Sequence, residues 1–244
     1  MKTIAISVIK GGTGKTTTAA TIAQAAKADG RKVLLVDMDP QGNLTDITGA
    51  DQERAGVYSV LHGTDSIAEA IQTTRQGIDI LSASASLTTE RTERGSISRL
   101  EKALQPLKRK YDLAIIDTPP AMNELTFNAL YAADGLIIPL ETDPASINGL
   151  DKIANIAEEI KAGALSFIGV IITRYDKRPT VNRLIVEQIQ KTCGEIGAHF
   201  LGTVRNGVAI REAQTLKRSI YDHAPYSNPA LDYEEIYTKI KRSV

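Results

Sequence analysis

The chain has 244 residues, of which 42% are hydrophobic, and its 29 Lys and Arg balance its 29 Asp and Glu. This length suits one large α/β domain with a sizeable core, and zero net charge gives no bulk signal for a polyanionic partner. No apolar run approaches the roughly 20 residues that span a bilayer, and the apolar start is too short for a signal peptide, so we expect a cytoplasmic protein. The single Cys193 and three scattered histidines give no disulfide and no metal-ligand spacing.

Short β-branched runs alternate with longer helical patterns along the chain. The polar segment 82–96 is the best candidate for a mobile surface loop. The alternation predicts a doubly wound, mostly parallel sheet flanked by helices, with ligands at the carboxyl ends of the strands. The predicted strands are 3–9, 33–36, 78–81, 113–116, 136–139 and 168–172, and the predicted helices are 16–28, 98–109, 125–132, 147–161 and 181–193.

A glycine-rich loop follows the first predicted strand and precedes the first predicted helix. That context is typical of a phosphate-binding P-loop, because backbone N–H groups and the positive end of the helix can point at phosphate oxygens. We expect Lys15 to neutralise the β- and γ-phosphates and the Thr16 hydroxyl to join the coordination of Mg²⁺. The residues of this loop are Gly11, Gly12, Thr13, Gly14, Lys15 and Thr16.

Three carboxylates follow two other predicted strands. Asp37 and Asp39 are two residues apart, on the same side of an extended chain, and would repel a triphosphate unless a metal or a water lay between. Asp117 ends "LAIID", the usual position of a carboxylate that holds the hydration shell of Mg²⁺. No histidine or cysteine pairs with a nucleophile here, so the remaining chemistry is phosphoryl transfer to water.

Three stretches, "KGGTGKTTT", "LLVDMDPQGNLT" and "DTPPAMNELTFNALYAAD", together resemble the ParA/Soj branch of the ParA–MinD ATPases. The resemblance implies that Lys10 reaches across a homodimer interface to the partner's nucleotide, so that two ATP molecules lie between the subunits. It also implies that Asp39 positions the attacking water and belongs to the metal site, that Asp37 neighbours that site, and that Asp117 binds Mg²⁺ through water.

For the chemistry, the resemblance makes Lys10, Lys15 and Asp39 the catalytic residues and brings Thr17 to the α-phosphate. A carboxylate that only orients water gives slow intrinsic hydrolysis, so we expect a slow ATPase that behaves as a timer.

The resemblance also predicts which residues contact the base of the nucleotide. "TRYD" keeps only the Asp of a guanine-reading N-K-x-D, which favours ATP over GTP. The chain departs from the family at Val8, where an asparagine is frequent, and at Val204, where a proline is frequent. The nucleotide contacts expected here are Thr173, Arg174, Arg205 and Asn206.

Positive charge is concentrated between residues 164 and 220, which hold nine Lys and Arg against four acids. A solvated surface would explain this, but "VRNGVAIREAQTLKRS" resembles the family region that contacts DNA non-specifically. Point charges on a rigid surface suit phosphates and need no base readout. The DNA contacts expected are Arg205, Arg211, Lys217 and Arg218.

The sequence therefore predicts a nucleoid-associated partitioning ATPase whose ParB-type partner stimulates hydrolysis and releases it from DNA. Only nine residues precede Lys10, which leaves no room for an amino-terminal helix-turn-helix domain, so we expect a single P-loop domain over 1–244. A MinD-like membrane regulator and a positioning ATPase for a protein cargo are the alternatives. The carboxyl-terminal stretch spaces Leu231, Ile236, Tyr237 and Ile240 as a helix, which we expect to pack on the core rather than on a membrane.

Overall fold

The computed structural model describes residues 1–84, 86–87 and 96–243. Its strands are β1 (Lys2–Ile6), β2 (Val33–Asp37), β3 (Ile71–Thr73), β4 (Asp79–Leu81), β5 (Leu113–Asp117), β6 (Gly135–Leu140), β7 (Ser166–Tyr175) and β8 (His199–Arg205). They form one sheet in the order β3-β4-β2-β5-β1-β6-β7-β8. Every neighbouring pair is parallel except β3 and β4, so the predicted doubly wound, mostly parallel sheet is confirmed.

Helices cover both faces of this sheet. Because successive side chains of a strand point to opposite faces, Ile4 and Ile6 of β1 pack towards one helical layer and Ala5 packs towards the other. The first layer holds α1 (Lys15–Ala28), α2 (Asn43–Thr48), α9 (Val208–Thr215), α10 (Ile220–His223) and α11 (Asn228–Ile240). The second holds α3 (Val57–His62), α4 (Ile67–Ala70), α5 (Arg99–Leu104), α6 (Glu124–Ala132), α7 (Ala145–Lys161) and α8 (Thr180–Glu195).

All six predicted strands and all five predicted helices exist. The largest difference at a helix end concerns the helix predicted over 98–109, because α5 ends at Leu104 and a 3-10 helix follows over Gln105–Leu107. The first strand was predicted to run to Ile9, but β1 ends at Ile6 and the chain then turns into the loop before α1. The prediction of a mobile surface loop over 82–96 is wrong for its first two residues, because Ser82 and Ala83 are buried. Residues 85 and 88–95 of that segment lie outside the described residues.

The carboxyl-terminal helix packs on the core as predicted. Its buried face is formed by Tyr233, Ile236, Tyr237 and Ile240, whereas Leu231 is 43% exposed, so its place in the predicted apolar face was wrong. Among the described residues, no helix has both the length and the apolar character needed to cross a membrane.

Candidate nucleotide-binding site

The loop between β1 and α1 has the backbone shape that a phosphate cradle requires. Gly12 and Gly14 have φ values of 79° and 83°, in the left-handed region that favours glycine. A Cβ atom on Gly14 would also come within 3.4 Å of Thr173 Cγ2. No acidic residue lies in the first turn of α1, so its free N–H groups and the positive end of its dipole remain available to an anion.

Lys15 is held inside this loop. Its side chain is buried, and its Nζ donates a hydrogen bond to the Lys10 carbonyl at 2.9 Å. Burial lowers the pKa of Lys15, while the negative charges of Asp117 and Asp39 raise it. A phosphate bound in the loop would therefore find its counter-charge already in place.

The side chain of Lys10 is engaged by a residue outside the loop. Its Nζ forms an ion pair with Asp143 Oδ2 at 2.9 Å, and its side chain is 35% exposed. Lys10 lines neither of the two hollows described below. The two lysines of the loop thus have separate environments within one subunit.

The paired carboxylates after β2 differ in their surroundings. Asp37 is fully buried and accepts hydrogen bonds from the Thr45 amide at 2.8 Å and the Thr45 hydroxyl at 2.7 Å. Burial raises the pKa of Asp37 to about 6. Asp39 instead lines the cleft, and its Oδ1 accepts from the Gln41 amide at 3.0 Å. Asp37 therefore holds the start of α2, and Asp39 faces the space beside the loop.

Asp117, at the end of β5, is the best candidate for holding a hydrated cation. Both of its carboxylate oxygens are buried, and neither has a hydrogen-bond partner among the described residues. Burial, followed by the charge of Asp37, raises the pKa of Asp117 well above its usual range, which the neighbouring Thr16 hydroxyl only partly offsets. An unpartnered carboxylate beside a hydroxyl fits Mg²⁺, which is usually held by one or two carboxylates, phosphates and water.

Two joined hollows form the cleft beside the loop, with volumes of about 360 Å³ and 330 Å³. The first, the phosphate hollow, holds the loop residues together with Asp39, Gln41 and Pro120. The second, the base hollow, lies towards β8 and α9. Such volumes fall in the range of small-molecule sites. The residues shared by both hollows are Gly14, Thr17, Arg174 and Gln214.

The base hollow has a polar wall with fixed side chains. The Thr173 hydroxyl donates to the Thr13 carbonyl at 2.8 Å, which ties β7 to the loop. Arg205 is bound through its Nε and Nη2 atoms by the Asp232 carboxylate, at distances between 2.7 and 3.1 Å. Arg174 adopts φ 51° and pairs with Glu141 at 2.9 Å. Asn206 lies at the exposed rim.

Comparison with known proteins fixes the family. The chain matches the family model described as "AAA domain" over residues 1–168. It is 34% identical to the chromosome-partitioning ATPase Soj of Thermus thermophilus, covering 100% of this chain and 97% of that protein. It is 32% identical to the chromosome partitioning protein ParA of Caulobacter vibrioides, covering 100% and 94%.

The chain belongs to the ParA/Soj family of partitioning ATPases. A solved structure of a putative plasmid partition protein from Borrelia burgdorferi, bound to AMPPNP, superposes with a TM-score of 0.86 at 26% identity and covers 100% of this chain and 99% of that one. The cleft described above is therefore the candidate ATP site of a ParA/Soj ATPase.

The four DNA contacts expected in this ParA/Soj chain do not share one environment. Arg211 is exposed and lines the base hollow, and Arg218 is exposed after α9. Lys217 adopts φ 54° and pairs with Asp46 at 3.0 Å. Arg205 is engaged by Asp232, so Arg211 and Arg218 are the freer cations of the four.

Several residues of the cleft were not predicted from the sequence. Gln214 donates to the Thr17 hydroxyl at 3.0 Å and lines both hollows. The buried Tyr233 hydroxyl lies 3.0 Å from that of Thr18. No local pattern indicated either contact, because Gln214 and Thr17 are 197 positions apart and Tyr233 and Thr18 are 215 positions apart.

Proposed function

We propose that this ATPase is a dimerising switch: two subunits close around ATP, the dimer binds DNA non-specifically, and hydrolysis releases it. The position of Lys10 carries the proposal. This lysine is outside its own nucleotide cleft and partly exposed, whereas Lys15 already supplies the cation inside the loop. Lys10, as a second cation at the mouth of the loop, could neutralise phosphate charge on the nucleotide of a second subunit that packs there.

The residues of the cleft have distinct tasks in the proposed reaction. Thr16 and Asp117 would hold Mg²⁺, which neutralises charge on the phosphates when bound. Asp39 would orient the attacking water and accept its hydrogen bond, since it faces the phosphate hollow. A carboxylate is a weak general base, so intrinsic hydrolysis should be slow and open to stimulation by a ParB-type partner.

DNA binding in this proposal rests on exposed cations after β8. Arg211 and Arg218 are exposed and offer positive charges to phosphates, which suits sequence-independent binding. A dimer doubles the number of such contacts, so ATP occupancy is coupled to DNA affinity. The protein would then act on the nucleoid, in the cytoplasm, and move plasmid or chromosome cargo.

The packing of α11 argues against the membrane-cycling alternative. Tyr233, Ile236, Tyr237 and Ile240 of α11 are buried against the core. Leu231 is the one large apolar side chain of this helix that is exposed, so the helix offers no continuous apolar face to a bilayer.

Light scattering tests the proposal. The wild-type protein should have the mass of a dimer with Mg²⁺ and a non-hydrolysable ATP analogue, and of a monomer with ADP. Lys10→Ala should stay monomeric while still binding the analogue, and Lys152→Ala, which removes an exposed cation of α7, should behave as wild type. A wild-type monomer in all states, or flotation of the ATP form with anionic liposomes, would refute it.

A further inference from the structure

A second group of cations lies at the opposite edge of the sheet, where the parallel strands β2, β4 and β5 begin. It surrounds a hollow of about 350 Å³ whose charged lining holds four cations and one acid, Asp79. Lys108 and Arg109, both exposed, continue the positive charge along the chain beside this hollow. We call these six residues the amino-edge cluster: Lys27, Arg31, Lys32, Lys108, Arg109 and Lys110.

The acids near this cluster are already hydrogen-bonded to other groups. Asp79 accepts from the Tyr111 hydroxyl and from the Thr73 hydroxyl, each at 2.7 Å. Asp112 accepts the backbone N–H of Lys32 at 2.8 Å, rather than its side chain. Their oxygens are directed at neutral donors, so these carboxylates hold the loops together without covering the ammonium groups.

Asp29 is bound mainly by two side chains at the carboxyl-terminal end of α11. It accepts from Lys241 at 2.6 Å and from Tyr237 at 3.1 Å, while Arg31 lies 4.0 Å away, at the limit of an ion pair. Arg31 therefore has only a long contact to an acid that two other groups already use.

The cations themselves are largely without partners of opposite charge. Among the described residues, no carboxylate forms an ion pair with Lys32, Lys108 or Arg109. Lys27 donates to the Gln76 carbonyl, and Lys110 lies 5.2 Å above the Tyr111 ring. Six cations in one place are a local excess in a chain of zero net charge. Such an excess raises the local concentration of polyanions.

Phosphates suit this surface better than a peptide does. Binding of a protein segment usually depends on buried apolar anchors, yet none of the exposed large apolar side chains of the described chain lines the hollow. Lys108 and Arg109, which are exposed and precede Lys110 in the chain, add to the four cations that line the hollow, and this is more charge than one small anion neutralises. Duplex DNA presents a continuous row of phosphates, with one charge about every 1.7 Å of helix axis.

We propose that the amino-edge cluster is a second DNA-contact surface, which binds the phosphodiester backbone with or without bound nucleotide. The cluster lies at the edge opposite the phosphate loop, so closure of the ATP edges of two subunits would leave it exposed. The inference depends on the proposed function in one respect, which is the choice of DNA as the polyanion that binds to this cluster.

Fluorescence anisotropy with two unrelated labelled duplexes tests the inference, with nucleotide-free protein and with the non-hydrolysable ATP analogue, over a range of salt. The variant is Lys32→Glu with Lys110→Glu. The matched control is Lys102→Glu with Lys152→Glu, which makes the same charge change at exposed positions of α5 and α7. Thermal melting and binding of labelled ATP confirm that each protein is folded.

Nucleotide-free wild type and control should bind both duplexes weakly, and the variant should lose most of this binding, with the salt slope reduced by about two. The increase in affinity caused by the ATP analogue should remain in the variant. The inference fails if nucleotide-free wild type does not bind, if variant and control bind equally, or if poly-glutamate competes as well as DNA. Loss of the ATP-dependent increase in wild type would instead refute the proposed function alone.

Discussion

Lys10 Nζ lies 2.9 Å from Asp143 Oδ2, and the other oxygen of Asp143 accepts the Ala145 N–H at 2.7 Å at the start of α7. The hydrogen bond from Lys10 lowers the pKa of Asp143. Both side chains are partly exposed, so the ion pair is screened by water and salt and is easily exchanged. In the proposed dimer, Lys10 must leave Asp143 to reach the partner's nucleotide.

Asp143→Asn should therefore favour the dimer. Asparagine can still accept the Ala145 N–H, but it no longer holds Lys10 by charge. We expect the ATP-analogue dimer to form at a protein concentration a few-fold lower than for wild type, measured by light scattering. Asp151→Asn, which removes the same charge from an exposed position of α7, is the control. A weaker dimer in Asp143→Asn would show that Asp143 supports the closed state instead.

Lys15→Ala should abolish nucleotide binding, because Lys15 is the buried cation within the phosphate loop. Equilibrium binding of labelled ATP is the measurement. Lys10→Ala should leave the affinity of the isolated subunit for ATP unchanged, because Lys10 does not line the cleft. If Lys15→Ala binds ATP like wild type, the loop is not the phosphate site.

Asp39→Ala should leave ATP binding and dimerisation intact while steady-state hydrolysis falls by about one to three orders of magnitude, as expected for loss of a water-positioning group. The comparison is Asp37→Ala, which leaves the Thr45 amide and hydroxyl without their acceptor and should lower the free energy of unfolding by roughly 1–3 kcal/mol. If Asp39→Ala hydrolyses ATP at the wild-type rate, another residue orients the attacking water.

Arg211→Glu should weaken DNA binding by the ATP form on any duplex, because phosphate contacts carry no sequence information. Each lost contact should reduce the salt slope by about one, and a symmetric dimer loses two. Since Arg211 also lines the base hollow, ATP affinity must be measured on the same variant. An effect on only one of two unrelated duplexes would show that the protein reads sequence.

The sheet was predictable because its strands are short apolar runs between helices. β8 was missed because only Leu201 and Val204 of that strand are buried, and Gly202 interrupts it with φ 144°. β3 was missed because it has three residues and pairs antiparallel.

In the site, the phosphate loop was predictable because its residues are adjacent in the chain. The pairs Lys10–Asp143 and Arg205–Asp232 join residues 133 and 27 positions apart, which no local pattern indicates. Their partners could be identified only once the fold had brought distant loops together.

If ATP occupancy controls DNA binding, the affinity of Asp39→Ala for a random-sequence duplex must depend on which nucleotide is bound. We would measure anisotropy with Mg²⁺ and either ATP or ADP, using this variant because it should keep ATP intact. We expect tight, salt-dependent binding with ATP and binding weaker by at least about tenfold with ADP, because only the ATP form presents two copies of the DNA-contact surface. Equal affinity in the two nucleotide states would contradict it.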